Sequence, residues 1–596
     1  MKRAAEWLFV PALVFVYAVL TAAIPATASI AIAETAAAMV LTNGAVYTVD
    51  GDNWHNEPAE AVAIGEGMIL FVGSAADAKA YIDEGTEVID LDGKVVFPGF
   101  IDGHCHAPGS ALTKLFEIYL YESRTKEETL AEIAAFIEKY PDLDAYWGTG
   151  YSFSMGGDIK GPRAEWLDEI CADKPIILKS EDVHTYWLNS LALEMNGITP
   201  DTPVPPGGNI PIDPETGKIW GTLTDAPSIV TMKQDEYTEA QQLEALAYFQ
   251  EQMHEWGYTS AMCVAPHFVD TSMYKAFDDS GALALRINLA GVMEPNGDID
   301  KVIEGTLAWR QSLENSELLE VSTIKYFADG VVEGMTAYLS EPYDAAAGLA
   351  PGYRSEFYWN TEGLKEYFAK TISAGLQIHV HSIGDAATEE TLGALEYAQS
   401  QNPNADSRNV ITHLQIVKDA DKARMGLLNI IGNTQPFWHL KAPGWFESVE
   451  LIALGEERAL AQYSVKSLMD AGALVTFSSD HPVTSVNKPF WAIEAAVTRN
   501  LYDSEFLGVD DITDMDDPAW LLNPDERISV KDAIEAYTIN GAYQLHRENA
   551  IGSISVGKHA DLIVVDRNIF DLNPIDISKI EVLATIFNGR LVYGEW

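Results

Sequence analysis

The spacing of apolar positions changes rhythm twice along the chain. Between residues 39 and 91 the apolar runs are short (39–42, 45–49, 61–64, 68–72 and 87–91), and Asn43-Gly44, Asp50-Gly51, Gly65-Glu66-Gly67 and Asp92-Gly93 part them. Short runs divided by turn-forming pairs predict strands of a small antiparallel β-module. The rhythm returns at the C-terminus, in 560–565 and in 584–593 interrupted at Asn588-Gly589. The module is therefore expected to draw on both ends of the chain, which requires those ends to meet in space.

Between the ends, apolar runs of strand length alternate with segments of helix length. Strands are expected at 95–101, 258–264, 286–292, 322–327, 376–381, 409–413, 429–434 and 474–478, with helices such as 238–256, 361–374 and 465–471 between them. Eight strands alternating with helices predict an α/β chain folded as a (β/α)8 barrel, whose active site lies at the C-terminal ends of its strands. The first interval is too long for one helix. Residues 111–237 are expected to form an insertion subdomain, and its Trp147-Gly148-Thr149-Gly150-Tyr151 and Met155-Gly156-Gly157 stretches fit a lid or pocket wall. The expected organisation is a leader over 1–33, a composite β-module from 34–94 and 550–596, and a barrel over 95–549 that carries the insertion.

At 596 residues the chain is long enough for several modules. Its 89 acidic residues against 38 Lys and Arg give a formal charge of -51. That sign excludes phosphate backbones and anionic lipid surfaces as partners and favours a neutral or cationic small-molecule substrate. A hydrophobic content of 47% excludes a disordered acidic chain. Three cysteines, Cys105, Cys171 and Cys263, are too few for a disulfide framework or a zinc ribbon. Lys2 and Arg3 precede an apolar run over 7–24, and Ala26-Thr27-Ala28 and Ala31-Ile32-Ala33 follow as cleavage sites. This is the pattern of a secretory signal, which places the mature protein outside the cytoplasm, secreted or periplasmic, with no membrane span left after cleavage. An uncleaved anchor is the rival reading of the same run.

The chemistry gathers at strand ends. In Phe97-Pro98-Gly99-Phe100-Ile101-Asp102-Gly103-His104-Cys105-His106, the two histidines are two residues apart and share the inward face of the first barrel strand. Cys105 points the other way. Lys325 lies in an apolar run at the end of the fourth strand, where a buried ammonium must be paired, deprotonated or chemically altered. His379 and His381 end the fifth strand, His413 the sixth, and Asp480 follows the eighth. Nitrogen and carboxylate donors at one rim suit Zn2+ or another borderline divalent ion, with an open position for a water of lowered pKa.

These motifs, FPGFIDGHCH, KYFADG, HVHSIGD, ITHLQ, SSDHP and the closing IGSISVGKHADLIVVD, occur in the order found in the amidohydrolase superfamily. From about residue 39 to the C-terminus the chain resembles its type 3 branch, which includes N-substituted formamide deformylases. The resemblance implies a metal-bearing barrel beside a composite β-sandwich. It also implies that His104 and His106 bind a more buried metal, that His381 and His413 bind a more exposed one, and that Lys325 bridges the two as a carbamate. Asp480 would ligate a metal and act as the catalytic proton acceptor. One or two ions fit the superfamily.

His379 lies one layer deeper than His381 and reads as packing or as a support for a ligand. His184, in a segment resembling the family's insertion, and Trp147, Tyr151, Trp438 and His439 are candidate substrate contacts, each against an ordinary packing role. Asp329 and Asp385 read equally as turn formers or helix caps. The expected activity is hydrolysis of a C–N bond in an amide, formamide or carbamate-like substrate. Deamination or cyclic-amide opening uses the same ligands, and a non-catalytic periplasmic binding protein is the alternative from another class. The insertion or an edge of the sandwich offers a face for a homo-oligomer.

Overall fold

A computed structural model describes residues 36–595 apart from 124, 158–159, 182, 206–207, 225, 266–268 and 511. The expected signal segment lies outside the described residues. Eight parallel strands run in sequence order around a barrel: β1 (Phe100–Cys105), β2 (Tyr258–Cys263), β3 (Arg286–Val292), β4 (Leu319–Phe327), β5 (Gln377–Ser382), β6 (Val410–His413), β7 (Ile431–Thr434) and β8 (Val475–Phe477). Strands covered on both faces read as near-continuous apolar runs, and β1 and β2 are buried at every position. Helices lie between them. The helix before β2, Glu239–Glu255, begins where Thr238 and Gln241 form a reciprocal capping box, and Thr361–Ser373 begins at Asn360, whose side chain accepts from Gly363 N–H.

The barrel closes between β8 and β1. The Asp480 N–H donates to the His104 carbonyl and the His106 N–H to the His481 carbonyl, both at 2.9 Å. Beneath this seam the Asp102 carboxylate accepts from Ser479 N–H (3.0 Å), Ser479 Oγ (2.5 Å), Asn487 Nδ2 (2.9 Å) and His104 N–H (3.2 Å). With no exposure at Asp102, those donors replace water.

The strand expected over 95–101 is two strands in two different sheets. Val95–Pro98 pairs with Met39–Val46 and with Leu562–Val565 in the outer sheet, and β1 starts after Gly99. A Cβ at Gly99 would lie 2.4 Å from both Thr259 Cγ2 and Oγ1, so only glycine lets the chain cross that close to β2. No polar residue marks the crossing, so an apolar-run reading passes through it.

The outer sheet has eight strands from both chain ends, and it is mixed rather than antiparallel as expected. Met39–Val46 pairs in parallel with both Glu87–Asp90 and Val95–Pro98. Asn43-Gly44 makes no turn. It sits as an irregularity inside one continuous strand, with Asn43 at φ 59°. The sheet folds over a core that includes Leu41, Val62, Ile64, Val96, Leu562 and Ile586, and Met68 bridges to His559 across the fold. A buried ion pair from Arg286 of β3 to Asp561 at 3.0 Å ties it to the barrel.

The segment between β1 and β2 carries a five-stranded sheet of its own, ordered Thr222–Thr224, Thr185–Leu188, Ile176–Ser180, Tyr146–Tyr151 and Ile118–Tyr119. Its glycines serve close packing. A Cβ at Gly148 would stand 2.4 Å from the Ile118 carbonyl oxygen, and Gly150, at φ 107°, abuts the Tyr121 backbone.

The Gly99 crossing is testable by equilibrium denaturation. Gly99→Ala is expected to cost about 1–3 kcal/mol through overpacking. Thr259→Ala in the same chain should recover most of that loss, whereas purely additive losses would remove the clash as the cause.

Candidate metal centre

The rim at the C-terminal end of the barrel collects the histidines. His104 and His413 offer one ring nitrogen each and Asp480 one carboxylate oxygen, all within 4.8 Å of one another and all buried. His104 Nε2 stands 3.1 Å from Asp480 Oδ1 without a hydrogen-bond partner, and His106 Nε2 meets the same oxygen at 3.0 Å. The His381 ring centroid is 4.5 Å from that of His413, and its Nε2 is 3.1 Å from the Gly330 carbonyl oxygen.

Lys325 lies on β4 in register with His379 of β5, as Phe327 does with His381. It is 1% exposed and forms no ion pair among the described residues. The tight group is therefore His104, His413 and Asp480. His106 joins it through Asp480, and His381 through His413.

Burial sets the protonation states. It holds His104 and His413 well below the usual imidazole range and His381 down at about 3, and the nearby Lys325 adds to each effect. All three are neutral donors at pH 7. Burial alone would raise Asp480, but the His106 hydrogen bond and the neighbouring His413, His106 and Lys325 outweigh it, so the carboxyl titrates below its ordinary value. Lys325 is lowered by burial to about 7, with Asp480 opposing. Two neutral nitrogens, one of them the buried His104 Nε2 that lacks a hydrogen-bond partner, and one carboxylate oxygen fit a divalent ion of borderline softness.

Of the supports of these donors, the sequence reading reached His379 but not Gln435 or Asp102. His379 is fully buried, and its Nε2 meets His104 Nδ1 at 2.8 Å, which turns the other nitrogen of His104 toward Asp480. His413 Nδ1 meets Gln435 Oε1 at 3.0 Å, and Gln435 Nε2 donates to Ser478 Oγ at 2.7 Å. Asp102 stands two residues before His104 on the same inward face, a period-two signal open to sequence reading. Gln435 has no such mark, because it is set by the approach of β6, β7 and β8. Asp329 is a loop tie rather than a reacting group: its carboxylate accepts from the N–H groups of Tyr338, Ile383 and Gly384. Asp385 opens helix Asp385–Gln401 and accepts from Ser340. Cys105 is buried in the core, as expected.

The expected substrate contacts divide. His184 lines a cavity of about 490 Å³ with Tyr186, Glu294, Phe327 and Tyr358, and the Phe327 ring is 5.6 Å from that of His381. Trp438 stacks on His413 at 5.8 Å and walls the metal centre. Tyr151 is a correction. It is fully buried in the insertion, against Trp187 at 5.3 Å, with its hydroxyl donating to the Thr185 carbonyl. Trp147 packs beside Ile177 and Leu188 on the insertion sheet and is not part of the cavity lining. Both sit where they do because a five-stranded sheet needs its own core. His439 is fully buried and stacks on Tyr463 at 5.0 Å, away from the cavity lining.

Comparison with known proteins bears on the fold and the family. The chain is 30% identical over 570 residues to the Arabidopsis thaliana Protein LONG AFTER FAR-RED 3, covering 93% of this chain and 91% of that one. It is 28% identical to N-substituted formamide deformylase of Arthrobacter pascens, covering 93% and 98%. A crystal structure of an uncharacterized metal-dependent hydrolase from Pyrococcus furiosus shares the fold, with a TM-score of 0.63 at 23% identity over 90% of this chain and 99% of that one. Residues 87–593 match the model of the amidohydrolase family, Amidohydro_3, and this chain belongs to that family.

Proposed function

We propose that this amidohydrolase, a metal-dependent hydrolase of C–N bonds, acts on an amide, formamide or carbamate-like substrate that is neutral or cationic. The observation that carries the reading is the convergence of His104, His413 and Asp480 within 4.8 Å at the barrel rim, with the His104 Nε2 otherwise unpartnered. The expected ligands are His104, His106, His381, His413, Lys325 and Asp480, holding one or two ions, with Zn2+ the best match to neutral imidazoles and a carboxylate. A bound divalent ion supplies Lewis-acid polarisation of the substrate carbonyl and lowers the pKa of water.

The protein's own groups do the rest. Asp480, ionised and held by His106, takes a proton from the attacking water and delivers it to the departing nitrogen, so that the amine leaves neutral. Gln435 and His379 hold the His413 and His104 rings in orientation. Trp438 shields one side of the centre from water. A Lys325 amine that titrates near 7 is in good part unprotonated at neutral pH and nucleophilic toward carbon dioxide. The new N–C bond forms with loss of one proton and leaves an anionic oxygen donor in place of a buried ammonium. Export is supported by Lys2, Arg3, the apolar run over 7–24 and the two small-residue cleavage sites.

Asp480→Asn keeps an oxygen donor but removes the proton acceptor. Turnover in a screen over N-formyl, N-acyl and cyclic amides is expected to fall by at least about 100-fold while metal content by elemental analysis stays near that of the wild type. Unaltered turnover would eliminate the proton-transfer role.

For Lys325, apoprotein stripped of carbon dioxide and reloaded with Zn2+ is expected to regain activity only when bicarbonate is added. Full recovery without bicarbonate, or a metal-loaded crystal with an unmodified Lys325 paired to an acid, would sink the carbamate. N-terminal sequencing of protein recovered outside the cytoplasm tests export, and a chain still beginning at Met1 would contradict cleavage.

A further inference from the structure

The cavity beside the metal centre has a charge and shape that the chemistry of hydrolysis leaves unexplained. It is built where three parts of the chain meet: the exit of β3, which brings Glu294, the end of β4 and its following segment, which bring Phe327 and Tyr358, and the insertion, which brings Val183, His184 and Tyr186. It shares a wall with the metal centre. Phe327 stands 5.6 Å from His381, and a Cβ on Gly330, whose carbonyl meets His381, would lie 2.7 Å from the Tyr358 hydroxyl. At about 490 Å³ the cavity is within the range of small-molecule sites.

Its lining is aromatic and negative. Val183 and Tyr358 are large side chains in the lining that stay 40% and 42% exposed. Glu294 carries the one full charge among the lining residues, and its carboxylate takes part in no hydrogen bond or ion pair among the described residues. Two lysines are close: Lys179 stands 5.7 Å from the Tyr186 ring centre and Lys325 5.0 Å from that of Phe327, yet neither lines the cavity. A carboxylate among aromatic faces recognises a cation, since ring quadrupoles and the anion attract the same charge. The overall charge of -51 raises the local concentration of such ligands.

The geometry points to Glu294 as a specificity-determining residue: the cavity holds the non-reacting end of the substrate, and that end carries an ammonium group placed against Glu294 and the faces of Tyr186 and Tyr358. This rests on the reading of the metal centre as an amide-hydrolysing site. It narrows the substrate from neutral or cationic amides to amides with a cationic tail.

The test uses metal-loaded full-length protein and pairs of N-formyl amines that differ only in a terminal ammonium or a terminal methyl. The wild type is expected to prefer the ammonium partner. Glu294→Gln should lower the ratio of the two kcat/KM values at least about tenfold, mainly through KM, and Glu294→Lys should reverse the preference. A ratio unmoved by Glu294→Gln, or a wild type that prefers the methyl partner, overturns the assignment and leaves the amide-hydrolysis reading standing. If the wild type cleaves neither partner, that reading is what fails, and calorimetric titration with benzylammonium decides the cation site separately. Binding at least about tenfold tighter to wild type than to Glu294→Gln upholds it, and equal binding overturns it.

Discussion

The seam between β8 and β1 is the constraint on which the metal centre depends. The candidate ligands are 376 positions apart in sequence at their extremes, His104 and Asp480. They meet because backbone hydrogen bonds join the two strand ends and because Asp102, buried without exposure, gathers four donors from both sides. A buried carboxylate left without those donors would cost several kcal/mol or force protonation. Burial already pushes Asp102 up to about 6, against the pull of its hydrogen bonds. The same four contacts that satisfy this group also set the spacing of His104 from Asp480. Gly103, between Asp102 and His104, is required too, since a Cβ there would stand 2.5 Å from Asn433 Nδ2.

Low exposure shapes the chemistry as well as the geometry. His104, His381 and His413 are neutral because desolvation disfavours their cations, and neutral imidazole is the metal-binding form. At the rim Asp480 is held ionised against burial, where the His106 hydrogen bond and the neighbouring His413, His106 and Lys325 win. A single physical condition, removal from water, thus prepares nitrogen donors, while local pairing prepares an anionic acceptor among them. The insertion completes the arrangement by bringing His184 and Tyr186 over the β3 and β4 rim, which converts an open barrel mouth into a cavity.

The barrel and the polar residues gathered at its rim were largely legible along the chain. Apolar strands that end in His, Lys or Asp stand out, because a buried polar side chain needs a reason. The alternation of two put His104 and His106 on one face. Where reading failed, the cause was a glycine or an aromatic residue with more than one use. Gly99 separates two sheets without any polar signal. The Gly-rich, aromatic segment around Trp147 and Tyr151 looks like a pocket wall, but its glycines admit neighbouring backbone and its aromatics fill a local core.

By itself the sequence determined the strand succession, the family and the set of residue types able to hold a metal, since each of these is written in local periodicity or in motifs of adjacent residues. Only the tertiary structure decided which of those residues converge, that Gln435 and His379 orient them, and that Glu294 faces an aromatic cavity next to His381. These depend on distances between side chains far apart in sequence, and such distances are set by how strands pair and close around a common core rather than by any local pattern.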